Sequence, residues 1–281
     1  RRLGTCRGRF GRLCGTRNVV AAAETAEGPI VDARVVETQT ITPTVRMLTL
    51  KPEGREAPAF GFLPGQWVDL WHVGSDRPGG FSFASTPPLL SSSGIFHLLI
   101  KRCKHAAAVW AHSAEVGSVC RVRVGGTALV PRAEDSEGGG IVLVAGGIGI
   151  APLYAILQWH LEKGSAGRVV LVYTARAGEL ALIDALGALA ETYGDERLRV
   201  RVHVTGSLEA EGVDALGVPA SVTACVQGRP TRENLREALA EAGDAPAAYV
   251  CGPPAMADAA AALLTRDLRL PESRLRMERW W

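Results

Sequence analysis

The stretch Ile141-Val-Leu-Val-Ala-Gly146-Gly147-Ile148-Gly149-Ile150-Ala151-Pro152 constrains this chain more than any other. Its apolar opening reads as a buried β-strand, and the glycines that follow read as a tight turn. Pro152 fits the first turn of a helix, where the N–H that proline lacks would have had no partner. Glycine has no Cβ, so it adopts conformations closed to other residues and lets an anion approach the backbone. Free N–H groups and the positive end of the helix dipole then attract phosphate. Gly146, Gly147, Ile148, Gly149, Ile150, Ala151 and Pro152 are therefore candidate phosphate-cradling residues. The spacing is not G-x-G-x-x-G, so the loop alone does not name its ligand. The same run is too short, and too interrupted by glycine and proline, to span a membrane.

A length of 281 residues suits two domains, and 47% hydrophobic residues supply a sizeable core. Residues 1–23 hold Arg1, Arg2, Arg7, Arg9, Arg12 and Arg17 and no acid. Segment 1–28 reads as a mitochondrial transit peptide, with a disordered basic tail or a fragment boundary as the alternatives. The remainder is slightly acidic, which offers no nucleic-acid surface. The cysteines, Cys6, Cys14, Cys103, Cys120, Cys225 and Cys251, are scattered without a C-x-x-C pair. That pattern argues against a zinc or iron–sulfur module and suits a reducing compartment. The histidines show no metal-ligand spacing, so no metal is expected.

Between residues 29 and 132 the texture is β. Short apolar runs at 30–37, 44–51, 66–73, 81–85, 95–101 and 119–124 are separated by turns such as Pro64-Gly65 and Gly125-Gly126. Such spacing predicts an antiparallel barrel or sandwich, with a short helix over 106–114. Residues 133–140, charged and then glycine-rich, read as a linker. From 141 to 281 strands at 141–145, 168–173, 198–204 and 247–251 alternate with helices at 152–163, 179–192, 231–242 and 254–265. That alternation implies a doubly wound parallel sheet.

A second turn, Tyr249-Val-Cys251-Gly252-Pro253-Pro254-Ala-Met256, again leads from a buried strand into a helix. Ligands of open α/β sheets bind beyond the carboxyl ends of strands, where both turns lie. Cys251 is small and polarizable enough to pack beside a flat ring, although a lone buried cysteine is more often structural. The pair G-G-x-G-x-x-P and C-G-P-P-x-M resembles the ferredoxin–NADP reductase-like superfamily over residues 29–281. The ending Met277-Glu278-Arg279-Trp280-Trp281, with Lys101–His105 and Val124–Gly126, narrows the resemblance to one branch of it.

The resemblance implies a flavin-binding barrel followed by an NAD(P)-binding domain, with FAD and either NAD or NADP as cofactors. Such barrels carry Arg-x-Tyr-Ser; here Phe81 holds the aromatic position and Ser82 that of the hydroxyl donor to flavin N5. The arginine position is Gly79, and Arg77, two residues earlier, is the substitute cation. Phe83, Ser85, Lys101, Ala108 and Val109 complete the implied flavin set, with Ala108 in place of a hydroxyl. Thr174 and Arg176, after the second nucleotide-domain strand, stand where the adenosine ribose lies. Cys251, Gly252, Pro253 and Met256 border the nicotinamide, and Glu278 and Trp280 stand at its junction with the flavin. Ser82, Cys251, Glu278 and Trp280 are the candidate catalytic residues.

The implied activity is hydride transfer from NAD(P)H to FAD and onward electron delivery to a separate protein or small molecule. The cofactors would carry the redox chemistry and the chain would orient them. Gly79 and Ala108 favour a rival, an NAD(P)H-binding sensor or scaffold that has lost tight flavin binding.

Overall fold

The computed structural model describes residues 28–136, 139–164, 167–206 and 216–280. The basic segment 1–27, read above as part of a transit peptide, and Trp281 lie outside the described residues. No helix among the described residues is long and apolar enough to cross a membrane.

The first half is a six-stranded antiparallel sheet of β1 (Val31–Thr42), β2 (Val45–Glu53), β3 (Trp67–His72), β4 (Gly79–Ser82), β5 (Phe96–Lys101) and β6 (Val119–Gly125). Its order is β4-β3-β6-β1-β2-β5. Phe83 bridges to Leu98 and so curls the sheet into a barrel. The Ala84 N–H donates to the His97 carbonyl and the His97 N–H to Ser85 Oγ, both at 2.9 Å, which holds that seam. Alternation along β2 and β5 sends Leu48, Leu50, Leu98 and Ile100 inward. Phe62 and Phe83 stack inside at 3.7 Å with an interplanar angle of 6°. Two helices, α1 (Pro87–Ser93) and α2 (Ala106–Ser113), complete this half, and α2 adds Ala107, Ala108 and Ala111 to its core.

The second half is a parallel sheet of β7 (Ile141–Gly146), β8 (Val169–Arg176), β9 (Leu198–Thr205), β10 (Ala224–Gln227), β11 (Ala247–Gly252) and β12 (Leu275–Arg279). Its order, β10-β9-β8-β7-β11-β12, reverses between β7 and β11. That reversal leaves a crevice at the carboxyl ends of those two strands. Helices α3 (Ile150–Glu162) and α4 (Ile183–Tyr193) pack on one face. The opposite face is covered by α5 (Arg232–Ala242) and α6 (Pro254–Ala262). Strand β7 explains why its sequence is apolar throughout: Ile141, Leu143 and Ala145 meet one helix layer, Val142 and Val144 the other.

Four features differ from the sequence reading. Helix α1 and the short strand β10 had no periodic signal long enough to register. Strand β12 forms the sheet edge, although its sequence mixes charge with apolar residues. The helix over 254–265 ends at Ala262, where the chain widens into a π turn, Leu263–Asp267. Within the stretch read as a linker, Asp135 is held fast. Asp135, 1% exposed, accepts from the Tyr249 hydroxyl at 2.7 Å, the Arg276 guanidinium at 2.8 Å and the Arg132 N–H at 3.0 Å. A Cβ on Gly140 would lie 1.9 Å from the Arg168 carbonyl oxygen, so this glycine serves close packing.

The two halves share a core, because Val45, Ala84, Leu99 and Leu129 pack into the α3 side of the parallel sheet. Glu179 tethers them further. It accepts hydrogen bonds from the Thr44 and Thr42 hydroxyls and lies 3.8 Å from Lys101 Nζ.

Candidate nucleotide site

Parallel pairing of β7 with β11 sets Ala145 beside Cys251 and brings both glycine turns together at the sheet's switch point. Glycine is required there by distance. A Cβ on Gly149 would lie 2.2 Å from the Cys251 carbonyl oxygen and 2.8 Å from the Gly252 nitrogen. A Cβ on Gly252 would lie 3.0 Å from Gly146 Cα. Gly147 takes φ +53°, a left-handed value that suits glycine. The chain then enters α3, so N–H groups and the positive helix end meet at the crevice. The side chains of Ile150, Ala151 and Pro152 are buried in the core, which leaves their backbone to face a ligand. Met256 has a packing role: its methyl lies against the Cβ side of both Gly146 and Gly252 and holds the turns in register.

On its other edge β11 pairs with β12, which places Glu278 directly beside Cys251. Burial holds the Cys251 thiol well above its ordinary range, and the Glu278 charge adds to this, so the thiol stays neutral. Burial also pushes Glu278 up to about 7, against a hydrogen bond with Trp280 that lowers it. Its Oε2 is buried and has no hydrogen-bond partner among the described residues. The Trp280 backbone N–H donates to the Gly252 carbonyl at 2.7 Å, while the indole ring reaches the barrel. A Cβ on Gly80 would sit 3.4 Å from that ring. Trp280 therefore brings the nucleotide turn up to β4, where Ser82 is buried and Phe81 half-buried.

Thr174 is the β8 neighbour of Gly146, and His203 is the β9 neighbour of Thr174. Both are buried, and Thr174 Oγ1 and His203 Nδ1 have no hydrogen-bond partner among the described residues. An unpaired buried polar atom is costly, so atoms of this kind beside a phosphate-type turn mark a place for a ligand group. Arg176 is exposed at the end of the same strand. His203 escaped the sequence reading because a lone histidine in an apolar strand carries no spacing signal.

Several residues in the implied flavin set lie elsewhere. Phe83 is wholly buried among Phe60, Phe62 and Phe96, because the chain turns into the barrel at the end of β4. Ala108 points into the same core, since α2 packs its alanine face on the barrel. Ser85 closes the barrel seam, and Lys101 faces Glu179 across the two halves. Arg77 is exposed in a turn in which the Ser75 hydroxyl donates to its carbonyl at 2.9 Å. Val109 remains exposed on α2. A side chain at Gly79 is blocked: its Cβ would lie 2.8 Å from that of Ala107 and 3.0 Å from the Phe81 ring. The α2 start is itself capped, with His105 Nδ1 accepting from the Ala107 N–H at 3.3 Å.

The model of the oxidoreductase NAD-binding domain matches residues 143–262. The Oxidoreductase NAD-binding domain-containing protein 1 of Danio rerio is 31% identical over 262 residues, covering 90% of this chain and 92% of its own. Ferredoxin–NADP reductase B of Sorangium cellulosum is 31% identical over 257 residues, covering 89% and 97% respectively. In fold, the Neisseria gonorrhoeae ferredoxin NADP+ reductase with bound FAD and NADP aligns with TM-score 0.68 at 16% identity. It covers 90% of this chain and 99% of that one. The chain belongs to the ferredoxin reductase-like family of NAD-binding oxidoreductases, on the branch of the Oxidoreductase NAD-binding domain-containing protein 1 sequences.

Proposed function

We propose that the chain is an NAD(P)H-dependent oxidoreductase that passes hydride to a flavin held mainly by its ring, and thence electrons to a separate acceptor. The observation that carries this reading is the meeting of both glycine turns with Thr174, Cys251 and Glu278 at one crevice. N–H groups of Gly147–Gly149 and the start of α3 hold the dinucleotide's pyrophosphate. The unpaired Thr174 hydroxyl and the exposed Arg176 serve the adenosine ribose, of NAD or of NADP. The neutral thiol of Cys251 leaves room for the nicotinamide without charging its surroundings. With a pKa of about 7, Glu278 can hold or release a proton at its carboxyl oxygen at neutral pH.

For the flavin, fit differs between ring and phosphate. Phe81 and Ser82 flank the part of β4 that the Trp280 ring approaches, and a flavin ring held at this place would accept the hydride at N5 beside Ser82. On the phosphate side position 79 is closed to a side chain, Lys101 faces Glu179, and Arg77 stands exposed in a turn. Loss of one charge-assisted bond to phosphate weakens binding by about ten- to a hundredfold. The flavin therefore exchanges readily.

Visible absorbance of the purified protein tests this. The expected result is substoichiometric yellow colour, with added FAD or FMN supporting saturable NAD(P)H-dependent dye reduction. Colourless protein that binds reduced nucleotide and reduces no dye with either flavin would instead support the sensor reading, which Gly79 and Ala108 favour. Titration with both nucleotides assigns the preference. The arginine-rich opening segment supports a mitochondrial address. Diffuse cytosolic fluorescence of a reporter fused to residues 1–28 would refute that.

A further inference from the structure

A cleft of about 830 Å3 opens between the two halves of the molecule, away from the glycine turns. One wall is the outer face of β1, β2 and β5 with α1; the other is α3 and the start of α4. Its volume lies in the range of small-molecule sites, which concentrate at domain interfaces. Tyr154, Gln158 and Glu162 recur every four residues on α3 and present one continuous stripe to it. Met47 and Ile183 supply apolar surface from opposite walls.

Three details mark the cleft as built to hold a molecule. First, Thr86 is 4% exposed, lines the cleft and occupies the N-cap of α1, yet its hydroxyl makes no cap bond. The reason lies in the sequence. Pro87 and Pro88 have no N–H to offer, and the Leu89 N–H is taken by the Thr86 carbonyl at 3.1 Å. No hydrogen bond of that hydroxyl is found among the described residues, so it is left for a ligand. Second, Leu182 lines the cleft with φ +61°, a left-handed backbone at a branched residue. Such strain costs about 1 kcal/mol and gathers at ligand sites. Third, the charge is one-sided. Glu162 and Asp184 line the cleft, whereas no lysine or arginine does. His97 completes the polar lining, and burial lowers its pKa, which keeps it neutral.

We propose that this cleft binds a small, largely apolar molecule carrying one positive charge. Its apolar body packs between Met47 and Ile183, and its polar end meets the Thr86 hydroxyl and the Glu162 and Asp184 carboxylates. Anionic ligands are disfavoured by the same carboxylates. Because both halves contribute walls, the occupant braces them against each other. The inference is independent of the nucleotide reading.

The test is a fluorescence titration of the full chain with thioflavin T, a singly charged aromatic cation, beside anilinonaphthalene sulfonate, an anion of similar size. Saturable binding of one cation per chain is expected, with the anion failing to displace it. Ser92→Trp and Ala185→Trp fill the cleft from opposite walls, and each abolishes binding. The pair Glu162→Gln and Asp184→Asn weakens it about three- to tenfold. An unchanged melting temperature certifies that the variants fold. No saturable binding of the cation, undiminished binding to both tryptophan variants, or equal binding of the anion at the same place would overturn the proposal.

Discussion

Replacing Glu278 by glutamine removes a carboxyl that burial holds at a pKa of about 7, against an ordinary 4.5. The folded chain binds this proton more tightly than the unfolded chain does, so protonation favours folding. Its stabilising contribution is complete below pH 4.5 and is lost as the pH rises through 7. At about 1.36 kcal/mol per tenfold difference in proton affinity, the loss between pH 5 and pH 8 comes to about 2.5 kcal/mol. Glutamine keeps the shape of the protonated acid and has no charge to desolvate. Urea unfolding of both proteins at pH 5, 6, 7 and 8 isolates this group, since every other titrating group is common to the two. The stability of the native protein relative to Glu278→Gln should fall by about 2.5 kcal/mol across that range. A difference that stays flat within about 0.5 kcal/mol would mean that Glu278 is solvated or paired, and the reasoning about its neighbourhood would fail.

Other expectations follow from close contacts. Gly149→Ala drives a Cβ to 2.2 Å from the Cys251 carbonyl oxygen, so a calorimetric titration should find NAD(P)H binding reduced at least tenfold at a stability cost of about 1–3 kcal/mol. Asp135→Ala leaves the Arg276 guanidinium, 5% exposed, without its buried partner; chemical denaturation should report a loss of about 3–5 kcal/mol. Gly79→Arg, which restores the family's phosphate-binding residue on paper, should lower the melting temperature without tightening FAD, because Ala107 and Phe81 fill the space; tight flavin binding by this variant would show that α2 yields.

Much of the architecture was legible because it depends on residue type alone. The turns at Gly146–Pro152 and Cys251–Pro254 need glycine for clearance and proline for entry into a helix, so they announce themselves in any sequence. The apolar run of β7 told equally of a strand covered on both faces. Facing direction was less legible. Phe83 and Ala108 occupy motif positions near the flavin set, yet the barrel's curl turns one inward and helix packing turns the other. Lys101 read as a member of the flavin set because its partner, Glu179, is distant in sequence. The charged stretch before β7 looked like a spacer for the same reason: Asp135 finds Tyr249 and Arg276 only in the folded chain. Neither His203 beside Thr174 nor the interdomain cleft has a sequence signature, since each arises from pairing between elements far apart.

Amide hydrogen exchange with and without saturating NADPH and NADH is the most direct measurement of the nucleotide cradle. Protection should rise at residues 147–153, 252–256 and 174–176, with little change on the outer face of the barrel. Saturable nucleotide binding that leaves those three segments unprotected would place the ligand elsewhere and contradict the assignment.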